Sequence, residues 1–135
     1  MDTDRSSQTI REPGHILVVD DEPRLRQILA DFLSLKGFRV TQAGSGDEAL
    51  ACLARELPTT VLLDVSMPGM NGLLTLEKMK ALRPSVHVIM ITGLQEEDSV
   101  HHAAELGASD YIMKPFDFDY LESALVSKLA LGEAP

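Results

Sequence analysis

Asp20 and Asp21 stand side by side where the apolar run HILVV ends, and Asp64 closes the run TVLL. Thr92 closes VHVIMI, and Lys114 follows DYIM. Three carboxylates, a hydroxyl and an ammonium thus each sit where an apolar stretch stops. If the stretch before Asp20 is central, with those before Asp64 and Thr92 on one side, the groups converge on one shallow cup. Crowded carboxylates repel: two unit charges about 4 Å apart cost roughly 4 kcal/mol at an effective dielectric near 20. Lys114 offsets one charge and leaves a demand for a cation. Oxygen donors with open positions suit a hard divalent ion. Mg2+ is the natural choice, because it takes one or two carboxylates together with waters and phosphate oxygens. A hydroxyl and an ammonium beside it would serve the oxygens of a phosphoryl group. A carboxylate can itself accept such a group. Asp64 is the best placed, because the loop SMPGMNG that follows gives access.

The elements that must position these groups are legible in the pattern. Runs 15–20 (HILVVD), 38–43 (FRVTQA), 60–65 (TVLLDV) and 86–91 (VHVIMI) are rich in β-branched residues, and 109–114 (SDYIMK) is a shorter fifth run. The first, third and fourth are nearly continuous, as strands buried on both faces of a parallel sheet read. Helical spacing fills the gaps. Leu25, Ile28, Leu29, Phe32 and Leu35 share a face, and Gly37 is a stop signal. Ser45 and Glu48 have capping-box spacing ahead of Ala49, Leu50, Leu53 and Leu57. A third helix spans about 73–82 before Pro84, a fourth about 96–106 before Gly107, and a fifth starts near Asp117 and runs toward Leu129. Five β-α repeats predict a parallel α/β sheet covered by helices on both faces. In such sheets ligands lie beyond the carboxyl ends of the strands.

Composition narrows the function classes. The 135 residues, 44% hydrophobic and 24% charged, fit one globular domain. A net charge of -9 argues against direct nucleic-acid binding, which needs clustered Lys and Arg. The single cysteine, Cys52, allows no internal disulfide and points to a reducing, cytoplasmic setting. No apolar run approaches a membrane span, and the polar N-terminus lacks a secretory h-region. Residues 1–13 are expected to be a flexible leader, 14–131 the folded domain and 132–135 a tail.

The motifs VVDDEP, LLDVSMPGMNG, IMITG and DYIMKPF, in this order and at these separations, resemble the receiver domain of two-component response regulators over about 15–130. The resemblance implies a three-layer, doubly wound (flavodoxin-like) five-stranded parallel sheet of order 2-1-3-4-5 with five helices. It implies a phosphoacceptor switch rather than an enzyme, with at most self-phosphorylation from small donors and self-dephosphorylation. Asp64 would be phosphorylated from the phosphohistidine of a sensor histidine kinase or phosphotransfer protein, with Mg2+ required. On the same resemblance, Asp21 is the direct Mg2+ ligand and Asp20 its water-mediated neighbour. Asp64 joins the metal set, and Ser66 offers its backbone carbonyl. Thr92 and Lys114 grip the phosphoryl oxygens. Tyr111 is the switch aromatic that turns inward with Thr92, and the Lys114–Pro115 peptide is cis. The output would pass to a downstream protein or to a C-terminal output domain beyond Pro135. The face of the fourth helix, fifth strand and fifth helix is a candidate homodimer surface. Ser66 and Leu94 depart from common family choices beside the path of the hydrolytic water, and Gly93 replaces a usual alanine.

Other features read more plainly. Glu22 suits a helix N-terminal dipole, Cys52 flanks an apolar stripe, and His15 lies at the far end of the first strand. His101 and His102 point about 100° apart on a helix, which suits solvated surface better than a metal site. The acidic run 96–98 suits a helix start, and Met67 and Met70 suit a loop lining or a partner surface. The competing enzyme class, an aspartate-nucleophile phosphatase, wants Asp-x-Asp at the first strand, and this chain has Asp-Asp there. A binding module that has lost phosphorylation would leave some of the five positions unfilled.

Overall fold

In the computed structural model the described residues are 14–64, 72–92, 103–113, 117 and 119–124. They form β1 (His15–Val19), α1 (Pro23–Leu35), β2 (Arg39–Ala43), α2 (Gly46–Glu56), β3 (Thr60–Asp64), α3 (Gly72–Leu82), β4 (His87–Thr92) and β5 (Asp110–Met113). Helical residues at 103–105 and 119–124 mark the fourth and fifth helices. The five strands are parallel in the order β2-β1-β3-β4-β5, as the resemblance implied.

The continuous apolar runs are explained by two cores. Side chains alternate along a strand. Leu17, Val19, Val61, Leu63, Val88 and Met90 face Ala49, Cys52 and Leu53 of α2, Leu76 and Met79 of α3, and Ala103. Ile16, Val18, Leu62, Ile89, Ile91 and Ile112 face Leu29 and Leu33 of α1, with Leu121 and Ala124. A Lys36–Glu122 ion pair at 2.8 Å joins α1 to the 119–124 helix on that second face. Cys52 is buried as a packing residue, as its place beside the stripe suggested.

The helix ends follow from the turn residues. Glu22 caps α1: its Oε1 accepts from the Leu25 amide at 2.8 Å. It is therefore an N-cap, not a first-turn residue. At the other end the Phe38 amide donates to the Leu33 carbonyl and the Gly37 amide to the Ser34 carbonyl, with Gly37 at φ 97°. This is a Schellman motif, and it is repeated at 103–108 with Gly107 at φ 104°. Ser45 Oγ accepts from the Glu48 amide at 3.1 Å, but the Glu48 carboxylate accepts from Gly44, one residue before the usual capping-box partner. Asp117 caps the fifth helix through Oδ1, which accepts from the Tyr120 amide.

The α1 face is corrected. Leu29, Ala30 and Leu33 are buried and Leu25 and Phe32 pack at their margin, whereas Ile28 and Leu35 are 45% and 85% exposed. The apolar arc is wider than the strip one sheet face can cover, and packing centres on Leu29 and Leu33. Leu57 is also outside its expected stripe. It ends α2 as a left-handed cap at φ 55° and is 58% exposed.

Candidate functional site

The sheet delivers three of the sequence-selected groups to one edge. Asp20 follows β1, Asp64 ends β3 and Thr92 ends β4. They are only 2%, 3% and 1% exposed. Val19 is in register with Leu63, so Asp20 and Asp64 are level on adjacent strands spaced about 4.8 Å apart. Asp64 is in register with Ile91, so Thr92 stands one residue further along β4. Asp21, the next residue, is exposed at the rim. Ser66, Lys114 and Pro115 fall outside the described residues, as do Met67, Met70, Gly93, Leu94, 96–98, His101 and His102.

Local bonds explain why the β1 end holds its shape. The Asp20 amide donates to the Ala43 carbonyl at 3.1 Å, and Oδ1 of Asp20 accepts from the Glu22 amide at 2.9 Å. Its other oxygen, Oδ2, is fully enclosed. Two enclosed carboxylates on neighbouring strand ends are electrostatically costly without a cation. The donor set fits Mg2+: it is oxygen throughout, with Cys52 packed in the α2 core and His15 at the opposite end of β1. Among the described residues no three of His, Cys, Asp and Glu gather closely enough to hold a metal. Mg2+ needs fewer, completing its shell with water and phosphate oxygens.

Thr92 and Tyr111 share a sheet face. Thr92 is in register with Met113 and Met90 with Tyr111, so alternation puts Thr92 and Tyr111 on the same side, one diagonal apart. Tyr111 is 44% exposed.

A family model described as the response regulator receiver domain matches residues 16–126. The chain belongs to that family. Among similar proteins, the receiver is 37% identical over 116 residues to sporulation initiation phosphotransferase F of Bacillus subtilis, covering 86% of this chain and 94% of that protein. It is 39% identical over 121 residues to the transcriptional regulatory protein ZraR of Salmonella typhimurium, covering 90% of this chain and only 27% of that protein. The solved receiver domain of NtrX from Brucella abortus superposes with a TM-score of 0.79 at 36% identity, covering 85% of this chain and 98% of that one.

Sequence reasoning passed over Arg26. Its Nη1 donates to the Asp20 carbonyl at 2.6 Å, and its Nε to Gln42 Oε1 at 3.2 Å. A signal was present, because a cation near the amino end of a helix opposes the macrodipole and needs another partner.

Away from the receiver's cup, His15 Nε2 lies 2.7 Å from Thr41 Oγ1, and that hydroxyl donates to Glu56 Oε1 at 2.8 Å. With its proton given to Glu56, Thr41 accepts from His15, which fixes the Nε2–H tautomer. Burial pushes the His15 imidazole below its ordinary value; Arg39 adds to this and Glu56 opposes it. The Thr41 bond holds the Glu56 carboxyl below its usual range against partial burial, helped by Arg55 and His15.

Proposed function

We propose that this receiver accepts a phosphoryl group on Asp64 from the phosphohistidine of a sensor histidine kinase or phosphotransfer protein. The observation that carries the reading is the pair of enclosed carboxylates, Asp20 and Asp64, level with each other at the carboxyl edge of the sheet, with buried Thr92 one residue further along β4. Asp21, Asp20, Asp64 and the Ser66 carbonyl would hold Mg2+, which when bound offsets the charge of the carboxylates and of the incoming phosphoryl oxygens. An Asp64 oxygen attacks phosphorus; the P–N bond breaks, and its electron pair stays on the donor imidazole. Thr92 donates to a phosphoryl oxygen and Lys114 neutralises another.

The Asp64 phosphate draws Thr92 inward, and Tyr111, on the same sheet face, follows into the space. That shift biases a two-state equilibrium in the surface around β5. The reader of that surface is a downstream protein or an output domain, and homodimerisation would use the same surface. Relatives of both lengths exist, one matched over 94% of its length and another over 27%. The receiver unit is 14–131, bracketing the matched 16–126. A cytoplasmic setting follows from the chemistry of the donor. It agrees with the lone Cys52 and with the absence, among the described residues, of a helix long and apolar enough to cross a membrane.

The test is intact mass spectrometry after incubation with Mg2+ and a small phosphodonor such as acetyl phosphate. One phosphoryl adduct is expected, absent with EDTA and absent in Asp64→Asn. An adduct that survives Asp64→Asn, or none in the unaltered protein, overturns the proposal.

A further inference from the structure

The loop from β1 to α1 carries one enclosed carboxylate, Asp20, and one exposed carboxylate, Asp21, separated by a single peptide. Three bonds hold Asp20, and one of them is made by the carbonyl of that peptide. The Asp20 amide is anchored on Ala43 of β2 and the Asp20 side chain on the Glu22 amide. The Asp20 carbonyl is taken by Arg26 at 2.6 Å, the shortest of the three. Arg26 is itself braced: Nε donates to Gln42 of β2, whose amide donates to Gln27 of α1 at 3.3 Å. Gly44 lies against this seat: a Cβ there would stand 3.0 Å from Nη1. A planar fork that spans two acceptors is something guanidinium offers and ammonium does not.

The geometry points to Arg26 as a positioning residue for the divalent-cation site. It fixes the plane of the Asp20–Asp21 peptide and so the direction in which the Asp21 carboxylate leaves the chain. This rests on the Mg2+ reading of the cup. Loss of a group that orients a ligand from outside typically costs about 10–100-fold in metal affinity. A purely electrostatic role would have the opposite sign. Removing a cation beside an acidic cup would strengthen Mg2+ binding, whereas removing a positioning bond weakens it.

Mg2+ titration calorimetry on the full chain at constant ionic strength separates the two. Arg26→Met is expected to weaken Mg2+ binding roughly tenfold. Arg26→Lys keeps the charge but not the fork, and is expected to remain several-fold weak. Gln42→Ala leaves the charge untouched, removes the brace, and is expected to weaken binding by a smaller factor. Arg24→Met makes the same charge change at an exposed position of the same helix and should bind at least as tightly as the unaltered protein. Circular dichroism in EDTA reports folding; if Arg26→Met does not fold, Arg26→Lys and Gln42→Ala carry the test. Unchanged or tighter Mg2+ binding in the folded Arg26 and Gln42 variants overturns the inference even if their melting temperatures fall. If the unaltered protein itself binds no Mg2+, the cation reading fails first and takes this inference with it.

Discussion

Replacing Asp64 by Asn should stabilise the protein when divalent ions are absent and cost it the response to Mg2+. Asp20 and Asp64 are both enclosed, on strand ends in adjacent register. At the inter-strand spacing of about 4.8 Å, two unit charges repel by about 3.5 kcal/mol at an effective dielectric near 20. The isosteric amide removes that repulsion. It also gives up any bond to the carboxylate and brings hydrogen-bonding needs of its own, which return about 1–2 kcal/mol. The net gain is about 2 kcal/mol. For a domain of 135 residues that is a rise of about 8 °C in melting temperature, at about 4 °C per kcal/mol. Mg2+ at ten times its dissociation constant stabilises the unaltered protein by about 1.4 kcal/mol, or about 6 °C, by mass action. The two proteins should therefore melt far apart in EDTA and close together in Mg2+, and only the unaltered one should move. Thermal melts followed by circular dichroism at 222 nm read this directly, and added salt should change the EDTA gap little because the pair is enclosed. An Asp64→Asn variant that melts at or below the unaltered protein in EDTA would refute the reasoning.

Three further outcomes are expected. Ser45→Ala removes the α2 cap, and urea unfolding should register a loss of about 1 kcal/mol. Gly37→Ala forces a Cβ onto a backbone at φ 97° and should cost about 1–2 kcal/mol with an unchanged m-value. The third concerns pH. His15 has a folded-state value below 6.5, so the unfolded chain binds the extra proton as pH falls. Its stabilisation is complete above 6.5 and is lost as pH drops through the lowered folded value. Glu56, also lowered, acts the same way below 4.5. Urea midpoints should therefore decline from pH 7.5 to pH 5, and His15→Gln should flatten the upper part of that decline.

Much of this was legible in the sequence, for identifiable reasons. Strands buried on both faces leave uninterrupted apolar runs, so β1, β3 and β4 were located to within a residue. The residues that closed those runs were Asp20, Asp64 and Thr92, and the pairing of β1 with β3 and of β3 with β4 then brought them to one edge. The buried face of α1 was harder to place. Ile28 and Leu35 satisfy the helical period as well as Leu33 does, and only the position of the sheet decides which side is covered. The left-handed turn at Leu57 gave no signal, because leucine has no preference for it. Arg26 was hidden by its commonness: a charged residue on a helix reads as solvated surface until its acceptor, a backbone carbonyl six residues earlier, is in view.

The β-sheet separates the molecule into two apolar compartments that share a wall and exchange no side chains. Packing damage on one side cannot be repaired by rearrangement on the other, so paired truncations such as Leu33→Ala with Leu53→Ala should simply sum. Such insulation lets each helix layer drift at its own pace. The outer face of α1 and the 119–124 helix can be altered while the layer of α2 and α3 keeps its fit. A fold partitioned in this way can change its correspondents without rebuilding its interior.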